Sequence, residues 1–518
     1  LKRRSRLGRW LQVPLLDVGL ALLLGGLQSL AYARTAFWAL PLLTLLLLVW
    51  RLNGVGAARA ALLGWAYGTA ALLVGTWWLY ISLHRYGGLP APLAVLAVLA
   101  LSGLQSLYLS AACAAYARWR RQGPVDAWLF AALWLLAELA RGVVFTGFPW
   151  LASGYAQLDG PLAVLAPWVG VYGIGAMAAL LVASAARFPD RPRSALVGLL
   201  LPLALVVALH AAPQDHTRPA GAFSVALLQT NVPQDEKFAA ERMPEVLAWT
   251  ARELLVAQAD LVLAPETAVP LLPDQLAEFA PGYWEQLRDH FRRSGNRALI
   301  GVPLGDFGHG YTNSVAGLSA AQAAYRYDKH HLVPFGEFIP QGFHWFTEMM
   351  NIPLGDFNRG ARNPPSFALK GQRVAPNICY EDLFGEELAR RFVEPTLAPT
   401  VFANVSNIAW FGPSDIDAQH LAISRMRTLE FQIPMVRATN TGATAVIDHR
   451  GEVKARLAPY TRGVLQAVVE GREGRTPYAV WTSAFGLWPA GLLAATLVLR
   501  CARQRSATAL QRGGRRTT

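Results

Sequence analysis

Cysteine is scarce in this 518-residue chain, confined to Cys113, Cys379 and Cys501. Three scattered thiols cannot build a disulfide framework and lack the spacing of a zinc site. Lysine is almost as rare: Lys2, Lys237, Lys329, Lys370 and Lys454 stand against a large excess of arginine, which draws attention to each of them. Charged residues make up only 16% of the chain while 53% is hydrophobic, and the mean hydropathy is +0.28. That balance excludes a disordered chain and argues against a wholly soluble one. No G-x-S-x-G occurs, so the serine hydrolase elbow is absent.

Long apolar runs are abundant. Seven stretches before residue 213 are candidates for crossing a bilayer, at about 11–33, 36–50, 60–83, 91–117, 127–148, 162–186 and 194–212, and an eighth lies at 479–499. The second is the shortest, bracketed by Arg34 and Arg51, and spans only if both arginines snorkel. The opening run is too long for the core of a cleaved signal peptide. With the N-terminus inside, nineteen basic residues fall on inner segments, grouped around residues 2–9, 51–59, 118–121, 187–193 and 500–516. The short outer loops hold Arg34, Arg85 and Arg141. Such asymmetry predicts eight spans with both ends cytoplasmic, and it assigns the net charge of +13 to topology rather than to nucleic acid.

Three regions follow: a seven-span membrane domain over 1–212, a polar-containing extracytoplasmic domain over 213–476, and a last span with a basic tail over 477–518. In the middle region, strand-like runs occur at 223–229, 260–264, 298–302, 322–327, 374–378, 400–403, 435–439, 443–447 and 464–469. Helical patterns at 239–258, 275–293, 383–393 and 417–431 interleave with them, which predicts helices packed on sheet.

Chemistry concentrates in three segments of that domain. Glu266 ends an apolar strand in Ala264-Pro265-Glu266-Thr267, Lys329 opens Lys329-His330-His331, and Cys379 ends the run Asn377-Ile378-Cys379. A cysteine at a strand-to-helix turn is exposed beside backbone N–H groups that stabilise an oxyanion. A free thiol with a pKa of about 8.5 is mostly protonated at neutral pH. A carboxylate can take its proton and an ammonium can favour the charge that develops. Pro376, inside the same strand, calls for an edge or a bulge. Each residue also has an ordinary alternative. Cysteines are commonly buried small hydrophobes, and glutamates and lysines are commonly solvated surface charges. Adjacent His330 and His331 would alternate faces of a strand, and no third ligand follows, so neither metal nor cofactor is expected. Gly170, Gly173 and Gly175 superficially resemble a phosphate loop, but they lie in an apolar span and fit close helix packing. Glu138 and Arg141 have the i, i+3 spacing of an ion pair within a span.

Together, Pro265-Glu266-Thr267, Tyr327-Asp328-Lys329 leading into Val333-Pro334-Phe335-Gly336-Glu337, and Ile378-Cys379-Tyr380-Glu381 resemble the Glu, Lys and Cys motifs of the nitrilase superfamily. Within it, the chain is similar to the apolipoprotein N-acyltransferases of the bacterial inner membrane. Trp77–Ser82, Gly147–Trp150, Gly154–Gln157, Gln229 with Asn231–Gln234, Val405–Asn407 with Ala409–Gly412, and Ala438–Gly442 carry the resemblance along most of the chain.

The resemblance implies a nitrilase-like αββα sandwich in the periplasm, carried by the helical membrane bundle. It implies that Cys379 takes an acyl chain from a phospholipid as a thioester and passes it to the α-amino group of a diacylglyceryl apolipoprotein. Glu266 would be the base, Lys329 the oxyanion partner, and Glu337, Tyr380 and Glu381 supports of the site. Phe238, Asn407 and Trp410 would contact substrate. Ile408 and Phe238 depart from the family's usual acidic residue and tryptophan. The apolar run of Phe343, Trp345, Phe346, Met349 and Met350 reads either as core or as a lipid-dipping arm that meets substrate. Nothing demands more than one chain. A membrane-anchored amidase using water as acceptor, and an inert scaffold, are the competing readings.

Overall fold

The computed structural model describes residues 14–121, 123–320, 324–339 and 357–514. The chain divides into two compact units: residues 1–77, 92–214 and 487–518 form one, and 78–91 with 215–486 form the other. The stretch 78–91 therefore groups with the polar half, unlike the division expected from the hydropathy pattern.

Among the described residues, seven helices are long and apolar enough to cross a membrane: Leu15–Ala33, Thr35–Leu52, Ala57–Gly75, Ala91–Trp119, Val125–Thr146, Pro161–Ala185 and Pro192–Ala211. They pack around Leu48, Val49, Leu63, Tyr67, Tyr116 and Phe130. Leu96, Leu200, Leu201 and Leu493 stay exposed, as a hydrocarbon-facing surface requires. At one end Asp17 is buried between Arg51 and Arg59, and Asp126 pairs with buried Arg187 at 2.9 Å.

Three expectations for the apolar stretches change. The third span stops at Gly75 rather than reaching 83, and its family-like Trp77–Ser82 segment passes through a turn into the short helical stretches Leu79–Ile81 and Ser82–Tyr86. Glu138 and Arg141 each bind the turn that follows: Glu138 Oε1 accepts from the Ser153 N–H at 2.7 Å, and Arg141 donates to the Trp150 carbonyl at 2.5 Å. The eighth apolar stretch is not one helix. Pro477–Phe485 ends at Gly486, whose φ of +57° a side chain would strain, and a second helix starts at Trp488. It counts as a span only if the broken pair is taken together.

Among its described residues the second unit holds two six-stranded sheets. Twelve strands run β1 (Thr217–Gln229), β2 (Leu261–Ala264), β3 (Arg297–Asp306), β4 (Gly310–Leu318), β5 (Tyr325–Asp328), β6 (Phe367–Leu369), β7 (Gln372–Ile378), β8 (Val401–Ser406), β9 (Met435–Thr439), β10 (Ala445–Ile447), β11 (Val453–Arg456) and β12 (Gly463–Gly474). One sheet has the order β12-β1-β2-β3-β4-β5 and the other β11-β10-β9-β8-β7-β6. Alternation along the central strands sends one set of side chains inward and the next outward. Leu261 and Leu263 of β2 meet Val401, Ala403 and Val405 of β8 in a core shared by the sheets. On the outer face of the first sheet, Val262 and Ala264 pack on helices Met243–Val256 and Tyr283–Ser294. Behind the second sheet, Phe402 packs on Phe431 of helix Ile416–Phe431, and Phe431 in turn on Tyr478. The layers run helix, sheet, sheet, helix.

The expected helix at 275–293 is two, Pro273–Phe279 and Tyr283–Ser294, divided at Gly282. That at 383–393 is a single turn, Gly385–Leu388, running into a 3-10 turn. Strands β4, β6 and β11 lie outside the expected set. Among the described residues Pro376 lies at an edge: β6 pairs only with residues 372–374 of β7, leaving the Pro376 side of the strand without a ladder partner there.

Strands β1, β2 and β3 are mutually parallel, and so are β7, β8 and β9. Since β3–β4 and β4–β5 are both antiparallel, β5 runs with β3. Residues following β1, β2, β5, β7, β8 and β9 thus leave carboxyl ends, where sheets of this kind hold their ligands.

Candidate active site

Those carboxyl ends supply the candidate side chains. Glu266 follows β2, Lys329 directly follows β5, Cys379 directly follows β7, and Asn407 directly follows β8. Two close approaches hold the loops: a Cβ at Gly301 would lie 2.2 Å from the Pro265 carbonyl, and one at Gly360 would strike the Asp328 carbonyl. Only glycine fits there.

Lys329 is buried at 1% exposure and lies between two buried carboxylates. Its Nζ is 2.8 Å from Glu337 Oε1 and 3.6 Å from Glu266 Oε1. Asn313 on β4 joins the same two groups, donating Nδ2 to Glu266 Oε1 at 2.6 Å and to Glu337 Oε1 at 2.7 Å. The Asn407 N–H fixes the second Glu266 oxygen at 2.7 Å, and the Val333 N–H fixes that of Glu337 at 2.8 Å. Burial works against the Lys329 charge, but Glu337 and then Glu266 outweigh it and push the ammonium up. Lys329 is therefore a permanent cation.

Cys379 opens a 3-10 turn, Cys379–Leu383, rather than a regular helix, and adopts φ +51°. Such a backbone is costly for any side chain and is found where geometry serves chemistry. Burial pushes its thiol up to about 12; the Glu266 carboxylate adds to that rise, and Lys329 opposes it. At rest the sulfur keeps its proton.

Glu381 ties the lysine loop to the cysteine turn. Its Oε2 accepts from the Ile378 N–H at 2.7 Å and the Tyr327 hydroxyl at 2.5 Å. Its Oε1 accepts from the N–H groups of His330 at 2.7 Å and His331 at 3.2 Å. Glu381→Ala leaves four donors facing a void and should cost roughly 3–5 kcal/mol. A thermal scan in detergent should show a large drop in Tm for Glu381→Ala and a smaller one for Glu381→Gln. Tyr380 is buried edge-on against Phe384. His331 stacks on Phe384 at 3.6 Å and meets Glu387 at 3.2 Å, so it is part of the packing behind the turn. Deeper still, His420 meets the Cys379 carbonyl at 3.2 Å, and burial, then Arg437, holds its imidazole well below the usual range.

Asn407 belongs to a buried amide chain. It donates to Gln234 Oε1 and accepts from Asn440 Nδ2, both at 2.9 Å, while Asn440 also binds Thr230 and Val232. This amide chain positions the Asn407 backbone N–H that holds Glu266. Phe238 is 47% exposed, and Trp410 is half-buried edge-on against Tyr86 at 5.7 Å. The segment Trp78–Ala91 adds Trp78 against Phe411 at 4.7 Å and an Arg85–Asp235 pair at 2.8 Å. Phe343, Trp345, Phe346, Met349 and Met350 lie outside the described residues.

Two site residues escape a sequence reading. Asn313 sits on an unrecognised strand. Lys237 is buried at 4% exposure, with Nζ 3.0 Å from the Glu266 carbonyl, and the rarity of lysine was its only mark.

Comparison with known proteins matches residues 24–184 to the apolipoprotein N-acyltransferase N-terminal domain and residues 224–478 to the carbon-nitrogen hydrolase family. An apolipoprotein N-acyltransferase of Verminephrobacter eiseniae is 52% identical over 480 residues, covering 87% of this chain and 89% of the relative. One from Ralstonia nicotianae is 45% identical, covering 95% and 94%. The chain belongs to the apolipoprotein N-acyltransferase family. It is membrane-embedded, with a carbon-nitrogen hydrolase domain carrying the Glu266, Lys329 and Cys379 cluster. A solved CN-hydrolase superfamily protein of Xanthomonas campestris is 19% identical, covering 52% of this chain and 97% of its own, with a TM-score of 0.37.

Proposed function

We propose that this protein transfers a fatty acyl chain from a phospholipid to the α-amino group of a diacylglyceryl-cysteine at the N-terminus of an apolipoprotein, completing lipoprotein maturation. The observation that carries the mechanism is a protonated thiol on a strained turn, coupled to the Glu266 carboxylate and the fixed cation Lys329. Glu266 takes the Cys379 proton as sulfur attacks the ester carbonyl and a C–S bond forms. Lys329 stabilises the oxyanion. As the C–O bond breaks, Glu266 returns the proton to the glycerol oxygen and a lysophospholipid leaves. The neutral amine of the acceptor then attacks the thioester and gives its proton to Glu266. The C–S bond breaks, and the thiol is restored by that proton.

In this reading Glu337 and Glu381 orient the lysine and the cysteine, and Phe238 and Trp410 line the approach of lipid. The nitrilase-like αββα domain over 213–476 faces the periplasm, the 477–518 region adds the eighth span, both termini are cytoplasmic, and one chain suffices. The basic residues of the inner segments support that orientation.

Intact protein incubated with phospholipid alone should gain one acyl mass on Cys379, and a synthetic diacylglyceryl peptide should discharge it. Absence of the adduct removes the thioester. An adduct that decays equally fast with and without peptide makes water the acceptor.

A further inference from the structure

Among the described lysines, Lys370 and Lys454 are exposed and paired with surface carboxylates, and Lys329 is held by Glu337 and Glu266. Lys237 is the other buried one, and it has a different environment. Its ammonium carries three N–H donors, and the Glu266 carbonyl at 3.0 Å takes one of them. No carboxylate bonds to it among the described residues, although the Glu266 side chain and the Cys379 sulfur both lie within its electrostatic reach. Its neighbours in sequence do not compensate it either: Asp235 pairs with Arg85 at 2.8 Å and Glu236 with Arg242 at 3.0 Å. A buried ammonium whose other donors meet no acceptor among the described residues, beside a reacting centre, is built to meet an oxygen that arrives with the substrate.

We propose that Lys237 is a second catalytic cation, donating its free N–H groups to the acyl carbonyl oxygen as it becomes an oxyanion in both half-reactions. The inference rests on the acyl-transfer reading and adds a residue to it. Lys329 keeps two carboxylates neutralised, whereas Lys237 has donors to give. The titratable groups that act on Lys237 are the Glu266 carboxylate from the turn after β2 and the Cys379 thiol from the turn after β7, with Lys329 3.6 Å from the Glu266 carboxylate. Burial lowers the Lys237 ammonium to about 8 against the pull of those two groups, so the charge is present at neutral pH and lost above it. Lys329, pushed the other way, does not titrate there.

The test uses the full chain in lipid nanodiscs, with labelled phosphatidylethanolamine as donor and thioester formation read from pH 6 to 10. Lys237→Met should slow acylation by roughly 10²–10³-fold, the usual loss for one oxyanion donor. Lys237→Arg should keep most of the rate and lose the alkaline decline expected of wild type above about 8. Alkylation of Cys379 by iodoacetamide, which needs no lipid, should slow in Lys237→Met as well. Lys237→Gln serves as the neutral variant if the methionine protein does not fold. A neutral variant that acylates within threefold of wild type overturns the proposal. So does an arginine variant as slow as the neutral one that retains the alkaline decline, because the role is then structural. Wild type that forms no thioester defeats the underlying acyl-transfer reading instead, while alkylation still reports whether Lys237 acts on the sulfur.

Discussion

Cys379→Ser protein is expected to fold normally and to lose acyl transfer by about 10⁴-fold or more, the scale seen when a nucleophile is removed from a working site. The reasoning starts from the resting thiol. Burial and the Glu266 carboxylate hold it up to about 12, so the enzyme does not store a thiolate. The proton must move to Glu266 as sulfur attacks, and a serine hydroxyl, far less acidic, makes that transfer much harder. Serine is nearly isosteric, so the turn at φ +51° and the Glu381 bonds are retained and Tm should hardly change. Cys379→Gly separates strain from chemistry. It is equally inactive, but glycine accepts the positive φ without penalty and should raise Tm. Quantifying acylated peptide by mass spectrometry and scanning Tm on the same preparations checks both parts. Transfer by the serine variant at a wild-type rate would remove Cys379 from the mechanism.

Much of this site can be read from the sequence because its reactive groups belong to short local motifs at strand ends. Ala264-Pro265-Glu266 and Ile378-Cys379 each place one polar residue after a buried apolar run, and that pattern is visible in one dimension. The groups that orient them are not. Thr312, Asn313 and Ser314 interrupt the alternation of β4 with polar side chains, yet they are buried because they bind Asp328 and the two carboxylates. Tertiary partners, invisible to periodicity, pay for that burial. Burial of Lys237 leaves no trace in its neighbours, which are polar and paired at the surface. In the apolar half, composition marks the spans well but misses the exits. Trp77 and Trp78 are as hydrophobic as the helix before them, and the break at Gly486 rests on a single positive φ.

Lys329→Met should be more damaging than its size suggests. The substitution removes the ammonium and leaves Glu266 and Glu337 buried, bridged by the single Nδ2 of Asn313. Breaking a buried charge cluster by deleting one partner costs about 3–5 kcal/mol, because the remaining buried charges lose the cation that lay between them. Activity should fall by at least roughly 10²–10³-fold with loss of the oxyanion partner. The double variant Lys329→Met/Glu337→Gln tests the charge argument separately from catalysis. Removing one negative charge along with the positive one should recover most of the lost Tm at neutral pH and none of the acyl transfer. If the double variant is as unstable as the single one, the damage comes from packing, and the charge balance among Glu266, Lys329 and Glu337 is not what holds this end of the two sheets together.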